Sequence, residues 1–287
     1  MTEYNRYVLA CIDGSSLGEA VCDYSSWIAK TVAAPLKFLH TIEHVNTPAV
    51  ADLTGTIGLG ASEDLLNELT SVEQNRSKLL IEQGNRMLKA AKQRAMDNDV
   101  NDIETRQRHG SLAESLVDLE QEIRVLVVGI RGELHDKDPE SIGTQLETTV
   151  RSLHKPILVV NKTFTEPKSA MLAFDGSDAA EKALNMVASS PLFSSMPIDL
   201  VFVGSRNDKI ELEVKAAAEK LTSAGRTVKT VFLEGEVHEA LSNYQLEQNI
   251  DLTIMGAFSH NRVRDFLVGS FTAKMLEKTQ RPLLLLR

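Results

Sequence analysis

Two apolar strands that each run into Asp-Gly-Ser, 162 residues apart, constrain this 287-residue chain more than any other feature. Val8-Leu-Ala-Cys-Ile-Asp13-Gly-Ser15 returns as Ala170-Met-Leu-Ala-Phe-Asp175-Gly-Ser177. Helical spacing follows both, with Leu17, Ala20, Val21, Tyr24, Trp27 and Ile28 in the first copy and Ala180, Leu184, Val187 and Ala188 in the second. Ser15 and Ser177 stand where helix N-caps are expected, because a short hydroxyl can accept a hydrogen bond from an unpaired N–H of the first turn. The copies also end alike. Val125-Leu-Val-Val-Gly129 matches Leu252-Thr-Ile-Met-Gly256, and Lys155-Pro-Ile-Leu-Val-Val160 matches Arg281-Pro-Leu-Leu-Leu-Leu286.

The repeat predicts two α/β domains, each a doubly wound five-stranded parallel sheet, over residues 1–164 and 165–287. Strands are expected at 6–13, 35–42, 102–108, 123–129 and 156–161, then at 170–175, 198–204, 227–233, 251–256 and 282–286. Short Val/Ile/Leu-rich runs alternating with amphipathic helices are the pattern of a parallel sheet covered on both faces. The polar, Pro-containing stretch from Asn161 to Lys168 reads as the linker. The first copy is longer in its middle. A connection near 44–61 carries Gly55, Gly58 and Gly60, and a helical stretch near 62–96 faces only a short helix, 209–223, in the second copy. A stripe of Leu65, Leu69, Val72, Leu80 and Leu88 suits packing on the sheet, but the length predicts a break or an overhang able to meet another protein.

Composition excludes several function classes. A net charge of −9 opposes attraction to nucleic-acid backbones, and no apolar run reaches the roughly 18 residues of a membrane span. The N-terminal stretch lacks a secretory pattern, so a cytoplasmic location is expected. Cys11 and Cys22 fall in a buried strand and the helix after it, as reduced core thiols would. The histidines show no metal-ligand spacing, and Gly55, Gly58 and Gly60 lack the Lys-Ser or Lys-Thr of a P-loop. Ser259, His260 and Asp265 do not sit in a nucleophile elbow, so no catalytic residue is assigned.

In such folds ligands bind beyond the carboxyl ends of the strands, where helix N-termini offer free N–H groups to anions. The second copy places Gly256-Ala-Phe-Ser259 there, then nine residues, then Gly269-Ser270 opening a helix. With the strand-one aspartate, this resembles the universal stress protein family, whose nucleotide-binding members carry Gly, two residues, Gly, nine residues, Gly and Ser or Thr. The resemblance runs over nearly the whole chain, twice. It implies a stress-response regulator that binds ATP, ADP or AMP, with or without Mg²⁺, through Asp175, Gly256, Ser259, Gly269 and Ser270, and through Asp13, Gly129, Gly132, Gly143 and Thr144 in the first copy. It also implies pairing of the two last strands within the chain as a pseudo-dimer, with a further homodimer and a protein partner left open.

The copies depart from that pattern differently. Ser259 replaces the second glycine in one, while the other keeps Gly132 but places ten residues before Gly143, among them Glu133, Asp136, Asp138 and Glu140. Four carboxylates make a poor phosphate cradle, whereas the second loop carries Arg262 and Arg264. Nucleotide binding is therefore expected mainly in the second copy, with no metal site and negligible turnover. The competing readings are an interaction protein with degenerate clefts and a slow nucleotide hydrolase.

Overall fold

The computed structural model describes residues 6–43, 59–132, 144–257 and 270–287. In the first half the strands are β1 (Tyr7–Cys11), β2 (Leu36–Ile42), β3 (Ile103–His109), β4 (Ile123–Gly129) and β5 (Ile157–Val160). Helices α1 (Gly18–Thr31), α2 (Leu59–Asp97), α3 (Leu112–Leu119) and α4 (Thr144–Ser152) connect them. In the second half β6 (Ala170–Ala173), β7 (Ile198–Val203), β8 (Val228–Leu233), β9 (Leu252–Gly256) and β10 (Leu283–Leu286) alternate with α5 (Asp178–Ser189), α6 (Asp208–Ser223), α7 (Val237–Glu247) and α8 (Ser270–Lys278). All ten strands lie within a residue or two of their expected positions.

The strands form one sheet in the order β3-β2-β1-β4-β5-β10-β9-β6-β7-β8, parallel within each half. Among the described residues the seam is the one antiparallel pairing, with Leu283 opposite Val159, Leu284 opposite Leu158 and Leu285 opposite Ile157. The last strands thus pair within the chain, each covering what would otherwise be an open apolar edge. Because side chains alternate across a strand, the seam feeds two cores. Leu158 and Leu284 join the layer under α1, α2, α5 and α6, while Ile157, Val159, Leu283 and Leu285 join the layer under α3, α4, α7 and α8. Each core is continuous through both halves, so the ten-stranded sheet is packed as a single layer.

The segment expected to be a linker is pinned at its start and in its middle. Asn161 Nδ2 donates to the carbonyls of Thr279 and Arg281 at 2.8 and 2.9 Å, and the Phe164 ring meets Tyr24 edge to face at 4.8 Å between centroids. The seam is tied further by Arg287, which donates to the carbonyl of Arg151.

Helix α2 is continuous over 39 residues, about 58 Å long at the α-helical rise. The expected break is absent and the overhang is present. Its later part reaches the core through Leu88, Ala91 and Ala95, while Val72 and Leu79 are exposed. Arg94 clamps this end to α1, donating to both Asp23 oxygens at 2.7 and 2.8 Å and pairing with Glu19 at 3.1 Å. Gly84 lets the helix cross the sheet closely, since a β-carbon there would overlap the His40 ring and the Gln107 amide. The expected connection near 44–61, with Gly55 and Gly58, lies largely outside the described residues.

Candidate nucleotide cleft

The second-half cleft is built where β6, β7 and β9 end. Asp175 follows β6, and its Oδ1 accepts the Ser177 N–H at 3.0 Å, closing a turn that Gly176 permits with φ of +75°. Ser177 then caps α5, its Oγ accepting the Ala180 N–H at 3.2 Å. The first half repeats only part of this. Asp13 Oδ1 accepts the Ser15 N–H at 3.0 Å, as expected from the repeat. Ser15 is not the N-cap, however: α1 begins at Gly18, after Leu17, with no side-chain cap. An extra turn, closed by the Gly18 N–H on the Ser15 carbonyl at 3.1 Å, moves the helix start beyond the hydroxyl's reach.

Gly256 ends β9 against the first turn of α5. A β-carbon there would stand 2.7 Å from Ala179 Cβ and 2.9 Å from its carbonyl carbon. The glycine is required by the helix packed on its own strand, a reason sequence spacing could not distinguish from close approach by a ligand. Beside it opens a cavity of about 310 Å³ lined by Asp175, Glu236, Val237, His238, Gly256 and Lys274, among others. His238 is buried at the start of α7, and Lys274 is exposed one turn into α8.

In the first half, Asp13 and Gly132 come together, with a β-carbon on Gly132 falling 3.2 Å from Asp13 Oδ2. Gly129 ends β4 beside Leu17, where a β-carbon would be 3.4 Å from Leu17 Cβ and 3.1 Å from the Arg131 carbonyl oxygen. Next to them His40 Nδ1 lies 2.9 Å from the Ile12 carbonyl, which can only accept, so that nitrogen carries a proton. By strand register Phe202 takes the place of His40 in the second half, and it packs against Phe232 instead. The two cleft regions are therefore chemically distinct. Thr144 and Ser270 begin α4 and α8 as expected of the helices after the loops. Ser259, Gly269 and Gly143, with Arg262 and Arg264, lie outside the described residues.

Sequence reasoning missed Glu236, His238 and Lys274. Lys274 carried a usable signal: it lies four residues after Ser270, hence on the same face of the helix. Glu236 and His238 are brought in by the tertiary placement of α7. Among the described residues no three His, Cys, Asp or Glu side chains gather as a metal site. A carboxylate able to accept from hydroxyls and a lysine able to meet an anion line one cavity.

The model of the universal stress protein family matches residues 5–161 and 204–287. The chain belongs to the universal stress protein family. Universal stress protein Slr1230 of Synechocystis sp. is 34% identical to it over 98% of this chain and 100% of its own length. Universal stress protein MJ0577 of Methanocaldococcus jannaschii is 26% identical over 30% of this chain and 56% of its own. Among solved structures, a universal stress protein from Archaeoglobus fulgidus overlays with a TM-score of 0.70 at 16% identity, covering 99% of this chain and 98% of that one. The α/β fold and the family resemblance are both confirmed, and the full-length likeness to Slr1230 covers both halves together. Among the described residues, no helix of this universal stress protein is long and apolar enough to cross a membrane.

Proposed function

We propose that this universal stress protein is a cytoplasmic regulator that binds ATP or another adenine nucleotide, mainly in a second domain spanning residues 165–287. The observation that carries the reading is the cavity of about 310 Å³ beyond β6 and β9, with Asp175 and Lys274 on its lining. It occupies the position where doubly wound folds take ligands, past the carboxyl ends of the strands. In this reading Asp175 accepts from ribose hydroxyls, and the N-terminus of α8 with Ser270, together with Gly269 before it, faces the phosphates. The first domain, with Asp13, Gly129, Gly132, Gly143 and Thr144, binds more weakly or not at all. Calorimetric titration with ATP, AMP and a non-nucleotide control tests this. Binding confined to the nucleotides and lost in Asp175→Ala supports it, and no heat with either nucleotide refutes it.

A second reading makes the protein an interaction module with degenerate clefts, favoured by the α2 overhang and its exposed Val72 and Leu79. It would prevail if Gly269→Val abolished nucleotide binding and left the cellular phenotype intact. A slow nucleotide hydrolase is the third reading; phosphate release above background, lost in Asp175→Ala, would be its mark.

A further inference from the structure

The last helices of the two halves differ in charge four residues from their starts. Helices α4 and α8 are the same length and begin at Thr144 and Ser270, so Lys274 corresponds to Thr148. Lys274 lines the second-half cavity together with Asp175, Gly256 and His238. One turn further along α8, Lys278 is paired with Glu239 of α7 at 3.5 Å. Lys274 has no ion-pair partner among the described residues. In a chain of net charge −9, such an ammonium at a cavity that also carries Asp175 and Glu236 is conspicuous. Nearby carboxylates would repel an anionic ligand, and a cation on α8 supplies a compensating field where the helix N-terminus already favours negative charge.

We infer that Lys274 is the phosphate-recognising residue of the second cleft, making it selective for a phosphorylated adenine nucleotide over the bare nucleoside. The inference rests on the nucleotide reading above and specifies it. Lysine serves here as a point charge, with three donors on a flexible stem able to follow a phosphate. The threonine at 148 offers no charge, so the first half lacks this selectivity.

The test compares adenosine, AMP and ATP by calorimetry on the full chain and on Lys274→Thr, Lys274→Arg and Thr148→Lys. The wild-type protein should bind AMP and ATP at least about tenfold more tightly than adenosine, the size expected of one charge-assisted hydrogen bond. Lys274→Thr should erase that ratio while leaving adenosine affinity and the melting temperature unchanged, and Lys274→Arg should keep most of it. Thr148→Lys should leave the second-site ratio as it was. If Lys274→Thr keeps the full preference for phosphate, the assignment to Lys274 is wrong although the nucleotide reading stands. If the wild-type chain binds neither nucleoside nor nucleotide, both fall.

Discussion

Gly256 and Ala179 meet so closely that a side chain on the glycine would place its first carbon 2.7 Å from the alanine's. The neighbouring atoms are helix backbone, the Ala179 carbonyl carbon at 2.9 Å and the Ala180 nitrogen at 3.0 Å, which cannot rotate away. Gly256→Ala should therefore push α5 off β9 and cost about 1–3 kcal/mol, typical of overpacking. Urea denaturation measures it. Loss of stability with no nucleotide present would show that the glycine serves packing before it serves any ligand, and an unchanged midpoint would refute the packing explanation.

Arg94 should be worth more than an ordinary surface cation. It grips Asp23 with two hydrogen bonds, and Asn98 adds a third at 3.0 Å, on a carboxylate whose side chain is only 16% exposed. The Asp23 pairing is also the main reason the guanidinium holds its proton more tightly than usual. Arg94→Ala should destabilise the protein by about 1–3 kcal/mol, the cost of leaving such a group underpaired. Hydrogen exchange should then rise along the later part of α2. No change in exchange there would show that Leu88, Ala91 and Ala95 hold the helix without the clamp.

The exposed half of that helix should be tolerant. Leu79→Glu is expected to stay within about 0.5 kcal/mol of wild type, whereas Leu88→Ala, nine residues later and buried, should cost about 2–5 kcal/mol. A large loss from Leu79→Glu, read as a drop in unfolding midpoint, would mean the overhang is covered by something in solution.

Alkaline pH should weaken the fold through Cys22 and Tyr7. Burial pushes the Cys22 thiol from 9.0 up to about 12, and the hydrogen bond to Glu104 pushes the Tyr7 phenol from 10.0 up to about 12. Cys11 is also raised, by burial first. A folded-state pKa above the unfolded one means the folded chain holds its proton more tightly. The resulting stability is complete below pH 9.0 and is lost as pH climbs toward about 12. The urea midpoint should fall between pH 9 and pH 11, and Cys22→Ala should flatten that slope. The Cys22 thiol should resist a disulfide reagent at pH 8 until the protein is unfolded; rapid modification of Cys22 in the native chain would contradict its burial.

Much of this architecture is legible in the sequence because buried parallel strands and their covering helices follow hydrophobic period, which by itself locates all ten strands. The seam follows from a family resemblance and the two apolar terminal runs, and Leu284 opposite Leu158 realises it. What escapes is set by packing across the sheet. Ser15 and Ser177 read identically in their own triplets, yet the turn after Ser15 delays its helix and only Ser177 caps. Glu236 and His238 reach the cavity because α7 packs beside α8, and nothing local announces that. Gly84 is indistinguishable in sequence from a weak point in a helix, and its purpose appears only where His40 and Gln107 fill the space a side chain would take.

The antiparallel joint between β5 and β10 also fixes how the molecule can address its ligands. Every strand of one half runs against every strand of the other, so their carboxyl ends, and the crevices beyond them, open toward opposite rims of the common sheet. A change at one crevice would reach the other through the shared sheet and its two continuous cores.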